Sequence, residues 1–476
     1  MSLIPDREAL PHTLQHPRLC YFGILCGHVW IWDACHLASA AHPQMTLTVT
    51  IYISLTLFTL GLTIGALLAK PTSKTLSWIN WPLATLMALG TLALVLPLPQ
   101  GLPTEQVLQA AAVFCGIGMG WTYMQWSFFY AALETRDALA CIFGAMLIGS
   151  LVKIPIDLIP DAWAATVCAI LPFASFILCD RAMAAQPPAK PVEVLVDPRR
   201  QRPYIKILLG IAAYGLVIGI MQGIHVEADP APKAALSLVH HLLEVATAAG
   251  IIWVVLVKRR SLHFSDLWRA TLVFTATGVL ALPLFGRAFS GWALVFVAVG
   301  QTLVVMLLWA FLADVAHRGT INPLAVFAMG WTAYCLPFPV GRAIGGLFTT
   351  SDTMTSLVSV IVYLLAMASI FMLDERDFSA GRVFADLEKP PVPPALFDAL
   401  GDACKRLGHD SGLTDRELEV MELICKGRSK GYIAESLCIS ENTVRSHARH
   451  LYAKVGVHSK QELLDLLMDQ MGESQK

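Results

Sequence analysis

The chain has 476 residues, a net charge of -1, 14% charged residues and a mean hydropathy of +0.61. A soluble domain carries about 25% charged residues, so a single water-soluble globule is excluded, and the near-zero net charge names no partner. The 11 cysteines form no Cys-x-x-Cys pair and mostly sit in apolar runs, as at Cys20, Cys26, Cys141 and Cys168. That pattern fits buried thiols rather than a disulfide framework or zinc site.

Residues 1–18 are polar and end at Arg18. The apolar run that follows is too long for a signal peptide and lacks a small-residue cleavage site, so it reads as a retained span. A helix needs roughly 20 mostly apolar residues to cross a bilayer, and about twelve such runs are present. They lie near 19–39, 46–69, 75–97, 106–130, 138–159, 162–180, 204–224, 234–257, 267–286, 290–313, 321–348 and 354–373. A longer polar stretch, 181–203, carries Pro187, Pro188 and Pro191 and then Arg199, Arg200 and Arg202. It divides the membrane domain, 19–373, into equal halves, 19–180 and 204–373.

Lys and Arg alternate between the connecting segments. One set holds Arg7, Arg18, Lys70, Lys74, Arg136, Arg181, Lys190, Arg199, Arg200, Arg202, Lys258, Arg259, Arg260 and Arg318; the other holds Lys233 and Arg287. The basic side faces the cytoplasm. The expectation is a multi-pass protein of the bacterial inner membrane with both termini cytoplasmic.

Two halves with this span count and loop layout resemble the major facilitator superfamily, over roughly residues 19–373. That family carries a Gly-x-x-x-acid-basic motif between its second and third spans. Here Gly65 is followed by Lys70 and Lys74, with Ala69 where the acid belongs. The family's gate uses that acid in an ion pair between helices, so its absence argues against active transport. The resemblance also implies a central cavity lined by the first, fourth, seventh and tenth spans. The ligand-pocket candidates are therefore His28, Trp32, Asp33, Trp121, Gln125, Tyr214, Gln222 and Gln301; for the aromatics, the interfacial belt and helix packing are the competing roles. Ionisable residues in a bilayer are costly and mark function by default. His36, Arg342, the Lys153/Asp157 pair at four-residue spacing and the His240/Glu244 pair at the same spacing belong to this class.

Beyond Leu373 the apolar runs stop. Residues 374–411 read as a proline-containing linker, with Pro390, Pro391, Pro393 and Pro394, extended and fairly stiff, and with room for a short helix over 395–407. Residues 412–476 read as a four-helix module. Thr414 and Glu417 have capping-box spacing, and the helix they start should stop at Gly427. Ile433, Ala434 and Leu437 mark a second helix. Ser440 caps a third, in which Val444, Ala448, Leu451 and Val455 form one apolar stripe. Asn442, Arg445, Ser446 and Arg449 fall on its other faces. A fourth helix, 461–468, carries Leu463, Leu464, Leu466 and Leu467. Between Lys426 and Lys460 the basic residues Lys426, Arg428, Lys430, Arg445, Arg449, Lys454 and Lys460 face only Glu435 and Glu441. Two helices on a tight turn, the second with basic residues outward, read double-stranded DNA.

The opening Leu413-Thr414-Asp415-Arg416-Glu417 and the later Ile439-Ser440, Thr443-Val444-Arg445 and Lys454-Val455-Gly456-Val457 resemble the LuxR-type DNA-binding domain. The resemblance implies that Arg445, Ser446 and Arg449 face the major groove. It puts Thr443 and Lys430 near phosphates, and Lys454 is a further DNA-binding candidate. It also implies a homodimer through Leu463, Leu466 and Leu467. Lys430-Gly431-Tyr432 departs from the family's usual Asn-Lys/Gln-Glu.

The fold class expected is all-α: a 6+6 membrane bundle plus a C-terminal helix-turn-helix domain. No phosphate loop, H-E-x-x-H or kinase-type motif appears, so no catalysis, cofactor or metal is expected. The functional expectation is a one-component regulator whose bundle senses a small molecule. The rivals are a secondary transporter with an autoregulatory tail, and release of the tail by proteolysis.

Overall fold

A computed structural model describes residues 18–43, 45–69, 71–72, 76–185, 202–223, 233–254, 264–285, 290–318, 321–347, 360–361, 364–365, 394–425, 433–434, 437, 440–457, 462–463 and 466–467. Among the described residues every regular element is a helix. The chain divides into two compact units, Met1–Pro390 and Pro391–Lys476.

The first unit contains α1 (Leu25–Ala41), α2 (Leu47–Ala69), α3 (Asn80–Val95), α4 (Thr104–Ala132), α5 (Thr135–Ile156) and α6 (Asp161–Ala185). After 186–201 come α7 (Arg202–Gly223), α8 (Lys233–Ile252), α9 (Phe264–Phe285), α10 (Ser290–Arg318) and α11 (Pro323–Gly345). These helices coincide with the first eleven apolar runs; the run at 354–373 lies almost entirely outside the described residues. Eight described helices are long and apolar enough to cross a membrane, and shorter apolar helices occupy Ile207–Gly223 and Leu267–Ala281. The α11 helix breaks at Leu336, ahead of Pro337, because proline has no N–H to donate and its ring crowds the preceding turn.

Polarity is inverted relative to a water-soluble protein. Leu57, Leu68, Trp78, Leu209 and Val273 are exposed, whereas Asp33, Lys153, Glu244 and Asp314 are buried. A contiguous apolar exterior is untenable in water and natural against lipid.

The halves meet along α2 with α11 and along α5 with α8 and α10. A six-helix shift converts the α2–α11 contact into α8–α5, so the two principal seams are related by the internal repeat. Thr59 and Thr332 hydroxyls are 2.9 Å apart on the first seam. At one end of α10, the Thr135 hydroxyl donates to Asp314 Oδ1 at 2.6 Å, and His317 Nδ1 donates to the Ala131 carbonyl at 2.9 Å. Within the second half α7 lies almost backbone to backbone against α11. A Cβ added at Gly215, Gly219 or Gly223 would run into the carbonyl of Tyr334, Phe338 or Arg342. Small residues at that spacing permit close helix approach in a bilayer, where the hydrophobic effect adds nothing between helices.

The second unit contains α12 (Pro394–Asp410), α13 (Asp415–Cys425) and α14 (Glu441–Val455). The short helix expected inside the linker is α12. Its Ala403, Cys404 and Leu407 enter the same core as Val420, Met421, Ile433, Val444 and Leu451. The compact unit therefore begins near Pro391 rather than at residue 412, because α12 supplies apolar surface that α13 buries.

Candidate functional site

In the second unit, the local chemistry sets each helix start and stop. Thr414 N–H and its hydroxyl donate to Glu417 Oε2 at 2.9 and 3.0 Å, while Glu417 N–H donates to Thr414 Oγ1 at 3.4 Å. This reciprocal exchange satisfies donors that the first turn of α13 leaves open. Lys454 Nζ donates to the same Oε2 at 2.7 Å and to the Gly412 carbonyl at 3.2 Å. The Lys454 ammonium and the Thr414 N–H hold the Glu417 carboxyl down to about 2. Ser440 Oγ accepts from Thr443 N–H at 3.1 Å and caps α14. Gly456, at φ 79°, closes it with a left-handed residue.

Val444, Ala448 and Leu451 are buried and Val455 half-buried, so the apolar stripe faces the core. Asn442, Arg445, Ser446 and Arg449 are exposed along the opposite face, at i, i+3, i+4 and i+7. His447 is half-buried beside them. Thr443 is half-buried with its hydroxyl 2.7 Å from Ser440 Oγ. Lys454 is engaged inside the module by Glu417, and Lys430 lies outside the described residues. The dimer role expected for Leu463 and Leu467 needs correction. Both are completely buried in the module's own core, and Leu466 is half-buried at its edge. Helical spacing of the leucines alone does not separate an inward face from a partner-facing one.

In the first unit, His28, Ile31, Trp32, Tyr52, Leu55, Tyr123, Gln301, Thr302, Val305, Trp331 and Tyr334 line a cavity of about 50 Å³ between the halves. That volume holds a few waters. His28, Trp32 and Gln301 are the expected lining residues that reach it. Gln222 sits one layer out and donates to Gln301 Oε1 at 3.2 Å. Trp121, Gln125 and Tyr214 line neither this cavity nor the smaller one beside it. The Trp121 indole donates to Asn80 Oδ1 at 2.8 Å, Gln125 reaches Asp180 Oδ1 at 3.4 Å, and Tyr214 pairs with Thr275. Tyr52, Trp331 and Tyr334 come from α2 and α11, helices outside the set the resemblance implied. Asp33 is buried next to the cavity helix face, with Oδ2 unpaired.

Next to the cavity lies a polar cluster. Lys153 Nζ is 2.8 Å from Glu244 Oε2 and 3.3 Å from His28 Nε2. Glu244 also accepts from Ser150 at 2.7 Å and from Thr302 at 2.6 Å. The sequence paired Lys153 with Asp157 along α5. The structure instead gives Lys153 to α8, and Asp157 to His241 Nε2 at 2.9 Å, because α8 packs on that face and brings better partners. His240 Nε2 lies 3.2 Å from Glu244 Oε1, as the shared face implied. His240, His241 and Glu244 offer three ligand-type atoms within 4.8 Å of one another. The Lys153 ammonium already neutralises the carboxylate there, and we assign no metal to the group.

Comparison with known proteins bears on the second unit. Residues 411–467 match the family described as bacterial regulatory proteins, luxR family. The chain is 39% identical to the Fimbriae Z protein of Salmonella typhimurium over 57 residues, 12% of this chain and 27% of that protein. It is 36% identical over 81 residues to a putative HTH-type transcriptional regulator of Aeromonas salmonicida, covering 17% of this chain and 41% of the other. It is 45% identical over 53 residues to the oxygen regulatory protein NreC of Staphylococcus aureus, covering 11% and 24% respectively. In these three relatives the chain thus spans between 24% and 41% of their length.

Proposed function

Because residues 411–467 are a LuxR-family helix-turn-helix domain, we propose that the whole chain is a membrane-anchored one-component transcription regulator. Its α1–α11 bundle lies in the inner membrane with both termini cytoplasmic, and its tail binds double-stranded DNA. Arg445, Ser446 and Arg449 read base edges, Thr443 and Lys430 lie at phosphates, and the half-buried Leu466 faces a second copy. The chain is a binding protein and carries out no catalysis. A small molecule in the cavity favours one arrangement of the two halves and so changes what the tail does at its operator. The ligand must bind the two arrangements differently, or nothing shifts.

The observation that carries this reading is the cavity itself. It opens between two halves of a bundle whose seams are related by a six-helix shift, in a chain whose other compact unit is a DNA-binding regulator domain. The test is a reporter gene driven by the full chain or by residues 391–476 alone. Response to a screened metabolite should vanish in the short form while operator binding persists. Metabolite-dependent expression from the short form would defeat the proposal, as would a C-terminal fusion exposed outside the cell.

A second reading is a major-facilitator-type transporter with an autoregulatory tail. The repeat-related seams and the buried ion pair favour it; Ala69 in place of the family's acid weighs against it. Uptake by proteoliposomes with and without a pH gradient separates the two.

A further inference from the structure

The polar cluster beside the cavity forms an unbroken chain of hydrogen-bonding groups that reaches the end of the bundle. Asp157, at the C-terminal end of α5, is the outermost group, its side chain 27% exposed. It accepts from the Ser237 hydroxyl and lies 2.9 Å from His241 Nε2. His241 is completely buried, and its other ring nitrogen, Nδ1, is 3.4 Å from Glu244 Oε2. Glu244 Oε2 is 2.8 Å from Lys153 Nζ, which is 3.3 Å from His28 Nε2. His28 lines the cavity, and so does Thr302, which holds the other oxygen of Glu244.

We propose that Asp157, His241, Glu244, Lys153 and His28 form a proton relay between the α5–α8 end of the bundle and the cavity. A buried ion pair alone needs only a Lys and a carboxylate. Here a histidine joins that pair to a half-exposed carboxylate, and a second histidine joins it to the cavity. Imidazole suits such a position because it takes a proton on one nitrogen while releasing one from the other.

The transfers balance. Asp157, protonated from water, gives its proton to His241 Nε2, while the Nδ1 proton passes to Glu244 Oε2 and leaves His241 in its other tautomer. Neutral Glu244 leaves the Lys153 ammonium without its counter-ion. Lys153 passes a proton to His28 Nε2, and Glu244 returns its own to Lys153. One proton has entered at Asp157, the ion pair is restored, and His28 is an imidazolium at the cavity wall.

Other titratable groups face the relay. Helix α1 brings Asp33 and His36, α6 brings Cys168, and α8 brings His240; α10 contributes only the Thr302 hydroxyl. None of these interrupts the chain. Trp32 reports on it: its ring is 6.0 Å from that of His241 and 5.0 Å below Lys153 Nζ, and it lies one helical turn from His28 on α1, where both line the cavity.

The inference rests on α1–α11 lying in a bilayer, which vesicle flotation checks by itself. The full chain is reconstituted in vesicles, without DNA or ligand, and the pH is dropped on one face. The Trp32 contribution to emission is obtained by difference from a Trp32→Phe variant. Acid on the Asp157 face should quench that contribution, since an imidazolium draws electron density from an adjacent indole. Asp157→Asn should slow the response at least tenfold, and His241→Gln, which keeps its polar contacts but cannot relay, should remove it. Melting temperature and gel filtration establish that each variant is folded; should His241→Gln fail, Asp157→Asn at the bundle's end carries the test alone. A wild-type chain that floats yet shows no Trp32 response overturns the relay. So does a response entering only from the opposite face, or one unchanged in speed in Asp157→Asn.

Discussion

Lys153 and Glu244 stand 91 residues apart in sequence, yet their charged atoms are 2.8 Å apart and both side chains are completely buried. One comes from α5 in the first half and the other from α8 in the second, so the pair fastens the α5–α8 seam. Removing one member leaves a buried charge uncompensated, which costs about 3–5 kcal/mol, whereas replacing both by apolar residues is often near neutral. Lys153→Met is expected to lower the melting temperature of the detergent-solubilised chain clearly more than Lys153→Met with Glu244→Leu. Equal losses in the two variants would show that the pair contributes little to the seam.

Arg449 lies on the exposed face of α14 with Arg445 and Ser446. A good bidentate contact between Arg and guanine discriminates by about 1–3 kcal/mol. Arg449→Ala should weaken operator binding by about that amount and relax specificity at one base pair. Gel-shift titration against wild-type and single-substituted operators checks both effects, and unchanged affinity would remove Arg449 from the interface.

Glu417 links the start of α13 to the end of α14 through Lys454. Its folded carboxyl titrates at about 2 against an ordinary 4.5. A depressed carboxyl stabilises the fold above its unfolded value and loses that contribution as the pH falls through the folded one. Residues 391–476 should therefore lose stability as the pH falls from 4.5 towards 2. Lys454→Met should flatten that part of the curve, and urea titrations across the range measure it. A curve unchanged by the substitution would mean that Lys454 does not hold Glu417.

Gly219 faces the Phe338 carbonyl and the Arg342 backbone nitrogen with no room for a side chain. Gly219→Val should force α7 off α11 and cost about 1–3 kcal/mol, the usual range for overpacking. Gly250 has open space around it, so Gly250→Ala should be neutral or slightly stabilising through helix propensity. Thermal stability in detergent distinguishes the two sites, and equal behaviour would deny the tight α7–α11 contact.

The sequence by itself determined the helical class, the positions of α1–α11 and the chemistry of the helix ends in the tail. Those features are local: an apolar run long enough for a bilayer, Thr414 three residues before Glu417, Ser440 ahead of an apolar stripe. The outward set Asn442, Arg445, Ser446 and Arg449 was equally legible, since helical periodicity fixes which residues share a face. Tertiary structure alone decided the rest. Lys153 could meet Asp157 within its own helix or Glu244 across the seam, and only the packing of α8 on α5 selected the second. Trp121 and Tyr214 sit on helices expected to line the cavity, yet they are taken up by Asn80 and Thr275, while Tyr52, Trp331 and Tyr334 arrive from α2 and α11. Leu463 and Leu467 turned inward because α12 to α14 needed their bulk to close a core. A one-dimensional pattern states which face a residue occupies, but the choice of neighbour depends on how helices distant in sequence cross.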